Sequence, residues 1–226
     1  MKKLLPLIPL LMTTLLVGCD RVEPGNVGIK VNKLGDDKGV GEVVGVGRYW
    51  TGWNTEVYIF PTFKQMKTYD EPFSFQMSDG TTIGYHIGVA YKVDPSKVTT
   101  VFQTYRKGVD DITDTDLRQK IADALNRLAS KMTTDKFIDG GKSELLDSAL
   151  KDIQEEMTPI GIQVMSLSYV GKPEYPPTVI DSINAKVTAN QKTLQREQEV
   201  KQREAEANML RAEAAGQADA IRTKAQ

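Results

Sequence analysis

The chain has 226 residues, 40% of them hydrophobic and 26% charged, enough for one sizeable core or two small ones and unlike a disordered chain or a polytopic membrane protein. Twenty-nine basic residues against thirty acidic ones leave a formal charge of −1, so there is no positive excess to serve a phosphate backbone and no nucleic-acid partner is expected. A single cysteine and a single histidine rule out a disulfide framework, a multi-cysteine zinc site and any catalytic scheme that needs two imidazoles.

At the N-terminus, Lys2 and Lys3 precede an apolar stretch of 14 residues, Leu4 to Val17, interrupted by Pro6 and Pro9. A spanning helix needs about 20 apolar residues, and internal prolines weaken it further, so residues 1–18 read as a secretory signal. The stretch ends in Leu16-Val17-Gly18-Cys19, which resembles the bacterial lipobox. That resemblance implies cleavage between Gly18 and Cys19, diacylglycerol on the Cys19 thiol, and a lipidated N-terminus over residues 19–23. Asp20 resembles the sorting signal that keeps lipoproteins on the inner membrane, which implies a lipoprotein on the periplasmic face of that membrane. The alternative is an incidental cysteine beside an uncleaved anchor. Removal of residues 1–18 would take the formal charge to −3.

Strand signals then run from Val22 to about Val93. Val27, Ile29 and Val31 alternate with small or polar residues, and Val57 and Ile59 do so before Phe60-Pro61. The clearest run is Ile83, Tyr85, Ile87, Val89, Tyr91 and Val93, six large apolar residues at period two whose other face, Gly84, His86, Gly88, Ala90 and Lys92, is slim or solvated. Phe73 to Met77 precedes it across Ser78-Asp79-Gly80, which predicts an antiparallel hairpin. A small antiparallel β-rich subdomain is expected over residues 24–95.

Beyond Asp94-Pro95 the period becomes helical. Leu117, Ile121, Leu125 and Leu128 make one apolar stripe, with Thr113 and Asp116 spaced as a capping box ahead of it. Gly140-Gly141 breaks the chain, Ser143 is placed to cap a second helix, and Leu146, Leu150, Ile153 and Met157 form its stripe. Ile162 to Val170 reads as a strand, so an α/β subdomain is expected over residues 96–172 and the fold class is α+β.

Pro173, Pro176 and Pro177 open a last segment, residues 173–226. From Thr178 onward it holds no proline and one glycine, Gly216, and is built from good helix formers. Its apolar seam is thin: Ile180, Val187 and Leu194 lie seven apart, then after a slip of one residue Val200, Ala207, Ala214 and Ile221 do the same. Such a seam buries too little by itself and asks for neighbours alongside, in a long C-terminal coiled-coil helix. Eight basic and six acidic residues mixed over residues 185–226 suit interhelical pairing. The alternative is a solitary solvated helix.

Little points to chemistry. Gly39-Val40-Gly41 with Gly45 and Gly47 lacks the spacing of a dinucleotide fingerprint, and no phosphate loop, HExxH or GxSxG is present. His86, on the slim face of its strand, reads as structural. Asp110, Asp111, Asp114 and Asp116 lack the glycine and terminal glutamate of a calcium loop and suit a helix N-terminus. No catalytic residue, metal or cofactor is expected. Tyr49, Trp50 and Trp53 form the densest aromatic group, suited either to a membrane interface or to core filling.

Taken together the motifs resemble those of the SPFH superfamily (stomatin, prohibitin, flotillin and HflK/HflC; the band 7 domain). Val22-Glu23-Pro24-Gly25-Asn26-Val27-Gly28, Val46-Gly47-Arg48 with Gly52, Phe60-Pro61-Thr62 and the Asp79-Gly80 turn carry the first half of the likeness. Leu117-Arg118 through Leu128, Met157 to Ile162, Pro176 to Lys186, Ala189 with Gln191, Glu204 to Ala207 and Ala215 to Ala218 carry the second. The departure lies at the N-terminus, where a lipidated cysteine stands in for a membrane-embedded anchor. The resemblance implies a non-enzymatic scaffold on the membrane surface that forms a large homo-oligomer, ring or cage, with room for a paralogous chain. It also implies either membrane organisation or modulation of a membrane ATP-dependent protease. The rival reading is a regulatory lipoprotein that does not assemble and docks on a membrane protease or channel through its C-terminal helix.

Overall fold

The structure, a computed structural model, describes residues 18–35 and 38–224, with side chains through residue 216. The signal read over residues 1–18 therefore lies outside the described residues except for Gly18. The chain divides into two compact units, one through Glu174 and one from Tyr175.

The first unit is α+β with antiparallel sheets. Its elements are β1 (Gly18–Val22), β2 (Asn26–Asn32), β3 (Gly39–Val44), β4 (Gly47–Thr51), β5 (Thr55–Pro61), β6 (Gln65–Thr68), β7 (Phe73–Gln76), β8 (Thr82–Val93), α1 (Val98–Tyr105), α2 (Arg118–Ala129), α3 (Lys142–Met157) and β9 (Ile162–Glu174). β1 and β4 form a two-stranded ribbon, β2 lies between β3 and β5, and β8 takes β6 and β7 on one edge and β9 on the other.

β8 carries the alternation at full strength. Ile83, Tyr85, Ile87, Val89, Tyr91 and Val93 are all buried. Phe73 and Phe75 of β7 and Tyr169 of β9 stand opposite that row, and Phe137 joins them, with its ring centroid 5.8 Å from Phe75 and 6.4 Å from Tyr169. The other face of β8 is slim and mostly covered. A methyl on Gly84 would come within 3.0 Å of the Glu174 carboxylate, and one on Gly88 within 3.2 Å of Ser168 Oγ. Only His86 and Lys92 of that row are half-exposed.

The turn between β7 and β8 also serves the helical half. Gly80, at φ +83°, lets Met77 N–H bond the Thr81 carbonyl at 2.8 Å. The Asp79 carboxylate accepts from Thr81 N–H at 3.1 Å, Thr134 N–H at 2.9 Å and Thr134 Oγ1–H at 3.0 Å, joining residues 55 apart. Partial desolvation alone would raise its pKa, but these bonds outweigh it and bring the carboxyl down to about 2.

The helices differ from the sequence reading in their starts. The chain is already helical at Val109, with Gly108 at the N-cap, and passes through a π-helical turn, Ile112–Leu117, into α2. Thr113 is thus no N-cap. It is fully buried, its Oγ1 donates to the Asp110 carbonyl at 2.9 Å, and its own carbonyl accepts from Tyr69 OH at 2.8 Å. Ser143 likewise lies inside the first turn of α3, which Gly141 caps without a side chain. Leu117, Ile121 and Leu125 of the first stripe and Leu146, Ile153 and Met157 of the second are buried, Leu128 and Leu150 are half-buried, and Leu145 and Ala149 add to the buried face of α3. α2 packs on α3 and β7, and α3 on β9.

Residues 19–21, expected only as a lipidated terminus, belong with Val22 to β1. The ribbon of β1 and β4 sits over the β3–β2–β5 sheet at Gly28. A Cβ there would lie 2.8 Å from a Val44 methyl, 2.9 Å from one of Val22 and 3.0 Å from one of Val57. The opposite face of that sheet meets α1, with the Tyr58 and Phe102 rings 4.7 Å apart.

The second unit is described separately. It is one 48-residue helix, α4 (Pro177–Lys224).

Two outcomes follow. Gly28→Ala should destabilise the protein by about 1–3 kcal/mol, the usual cost of overpacking, while Gly45→Ala, where a methyl meets nothing within 4 Å, should be near neutral; denaturant midpoints measure both. Asp79→Ala should cost about 1 kcal/mol for each net hydrogen bond lost at neutral pH. Because the folded pKa lies below the ordinary 3.8, that contribution is complete above about pH 4 and fades as pH falls towards 2, so wild-type and variant stabilities should converge there.

Candidate membrane-attachment site

The strand registers bring three separate segments to one end of the β-rich half. Gly18 pairs with Thr51 where β1 begins and β4 ends, and Asn32 pairs with Thr55 where β2 ends and β5 begins. The start of β1, the 33–35 loop and the 52–54 turn therefore share that end.

Cys19 stands directly opposite Trp50, so the two side chains lie on one face of the ribbon. Cys19 is exposed, Trp50 is 76% exposed and Trp53, in the turn, is 84% exposed. Core filling is therefore excluded for both tryptophans. Tyr49 behaves otherwise. It lies one residue out of phase with Trp50, half-buried on the inward face, with Lys30 Nζ 4.8 Å from its ring centroid and its hydroxyl donating to the Gly45 carbonyl at 2.8 Å. The aromatic group read from the sequence thus splits, and Tyr49 helps seat the ribbon. Asp20, opposite Tyr49 in the register, is half-buried on the same inward side.

A fourth residue joins the exposed group. Leu34, 58% exposed, is held by Asn54: the Asn54 side chain donates to the Leu34 carbonyl at 2.7 Å and accepts from Leu34 N–H at 2.6 Å. Lys33 N–H donates to the Asn54 carbonyl at 2.8 Å. The loop carrying Leu34 is in this way tied to the turn carrying Trp53. Nearby, Lys33 Nζ lies 2.9 Å from Glu56 Oε2, and their hydrogen bond raises the pKa of Lys33 and lowers that of Glu56. An exposed apolar leucine between Lys33 and Gly35 was a usable signal, but nothing in the sequence links position 34 to position 54.

An exposed apolar group of this composition can enter the zone between headgroups and hydrocarbon, where indole rings are favoured. No helix among the described residues is long and apolar enough to cross a membrane.

The other sequence candidates are placed elsewhere. His86 Nδ1 lies 3.3 Å from the Tyr69 carbonyl, within reach of a ring N–H donor. Asp110 and Asp111 fall in the first helical turn after Gly108, Asp114 is ion-paired to Lys67, and Asp116 lies 3.3 Å from Lys107 Nζ. Among the described residues no cluster of His, Cys, Asp or Glu could hold a metal ion. On α4, Ile180, Val187, Leu194 and Val200 are apolar yet about half exposed, and Ala207 and Ala214 are exposed. Ile183, three residues after Ile180, shares their side of the helix. The side chain of Ile221 lies outside the described residues.

A search of curated proteins returned no significant match. The sequence profile of the SPFH domain / Band 7 family matches residues 20–207, from the second residue after Gly18 through most of α4. Covering both the β-rich and helical halves, that match establishes that the chain belongs to the SPFH domain / Band 7 family, a family of membrane-associated scaffolds.

Proposed function

We propose that this protein is a scaffold held on the membrane surface by an acylated Cys19, seated there by Trp50, Trp53 and Leu34, and assembled with its own copies through α4. It performs no catalysis. The observation that carries the attachment is the register pair of Cys19 with Trp50. Side chains directly opposite in an antiparallel pair have Cβ atoms about 5 Å apart, so an acyl group on Cys19 starts beside an exposed indole. Each buried methylene of that group contributes about 0.8 kcal/mol, and several chains hold a protein durably where one does not. The resemblance of Asp20 to the inner-membrane sorting signal supports the periplasmic face of that membrane as the location.

Assembly draws support from α4. Its large apolar residues recur at the seven-residue spacing of a coiled-coil seam while remaining about half exposed. Alanines at 207 and 214 allow close lateral approach. A homo-oligomer, alone or with a paralogous chain, supplies that cover. A membrane ATP-dependent protease is the partner class suggested by the family likeness.

Two measurements test this. Cys19→Ala should abolish incorporation of labelled palmitate into the processed protein; continued labelling would overturn the anchor. The detergent-solubilised protein should sediment as a large assembly, and Val187→Asp with Leu194→Asp should reduce it to small species with the folded unit through Glu174 unchanged by circular dichroism. A wild-type protein that sediments as a single chain with a membrane protease or channel bound would instead support the docking lipoprotein.

A further inference from the structure

The exposed face of the ribbon holds a second feature. Two residues along from Cys19 and Trp50, Arg21 stands directly opposite Arg48, and both side chains are exposed. Residues two apart on a strand share a face and lie about 7 Å apart, so the arginine pair stands next to the cysteine–tryptophan pair on that face. Like charges placed directly opposite in an antiparallel pair repel. Little nearby relieves that repulsion. Arg21 Nε reaches Glu23 Oε1 only at 4.0 Å, between two exposed side chains, and among the described residues no carboxylate pairs with Arg48.

We propose that Arg21 and Arg48 together grip the phosphate of an anionic phospholipid headgroup, which orients the ribbon on the membrane. The proposal rests on the attachment reading above and adds the class of lipid. Guanidinium forks bind phosphate oxygens in bidentate fashion, and two of them facing one another supply more donors than one phosphate needs. The occupant is a lipid because the pair lies on the face that carries Cys19 and Trp50, where a bilayer reached by the anchor presents its headgroups. The mature chain, at a formal −3, gains nothing from an anionic surface through net charge, so any preference for one must come from a local cluster.

The test uses the full acylated protein reconstituted into vesicles of phosphatidylcholine alone or with added phosphatidylglycerol. Quenching of tryptophan fluorescence by brominated acyl chains is the readout, since Trp50 and Trp53 are the two tryptophans of the chain. Quenching should rise when phosphatidylglycerol is added, and the rise should vanish in high salt. Arg21→Gln with Arg48→Gln should lose the rise while keeping the quenching seen in phosphatidylcholine. Lys201→Gln with Arg203→Gln, an equal change in charge on α4, should keep both. Equal quenching in the two lipids, or equal loss in both double variants, overturns the headgroup assignment alone. Absence of quenching in any vesicle overturns the attachment reading and this inference with it.

Discussion

The first unit is organised by the need of β8 to bury six large side chains on one face while leaving almost no volume on the other. A strand of that kind cannot sit at an edge. It takes β6 and β7 along one side and β9 along the other, and the apolar row they share with Phe73, Phe75 and Tyr169 meets the helical half at Phe137. The glycines on its slim face are part of the same constraint, because Glu174 and Ser168 occupy the space that Cβ atoms would need at Gly84 and Gly88. The hairpin turn adds a polar tie between the two halves, since Asp79 accepts from Thr134 N–H and Oγ1–H in the segment between α2 and α3.

Elements whose stability comes from a long run of side chains were legible in the sequence. The alternation of β8, the stripes of α2 and α3 and the uninterrupted composition of α4 each repeat a signal over many residues, and the Asp79-Gly80 turn is marked by its own residue types. Elements that depend on a partner far away in the chain were not. β1 has one buried apolar residue, Val22, and exists because β4 supplies its hydrogen bonds. Thr113 has the spacing of a cap, but the preceding turn was already helical, so its hydroxyl turned back onto Asp110 and its carbonyl onto Tyr69.

The candidate attachment site divides in the same way. Its cysteine and tryptophans could be singled out from residue type and position. Their grouping could not, because strand parity separates Tyr49 from Trp50 although the two are neighbours in sequence. Leu34 joins only through a side-chain clamp to Asn54, twenty residues later. In α4 the position is reversed: the seven-residue spacing is plain in the sequence, and the half-exposed side chains that follow from it raise the question of what lies alongside.

The short length of β1 has a mechanical consequence. Cys19 is its second residue, so an anchor there has no flexible tether between lipid and folded protein. Tension drawn along the strand at that point is borne in shear, because the bonds to β4 run perpendicular to it and stretch together rather than opening one after another. At the far end of the same strand, Val22 is wedged over Gly28. With an acyl group on Cys19, a drag on the lipid would be passed into the β3–β2–β5 sheet instead of being absorbed at a hinge, and the domain would turn with the patch of bilayer around its anchor.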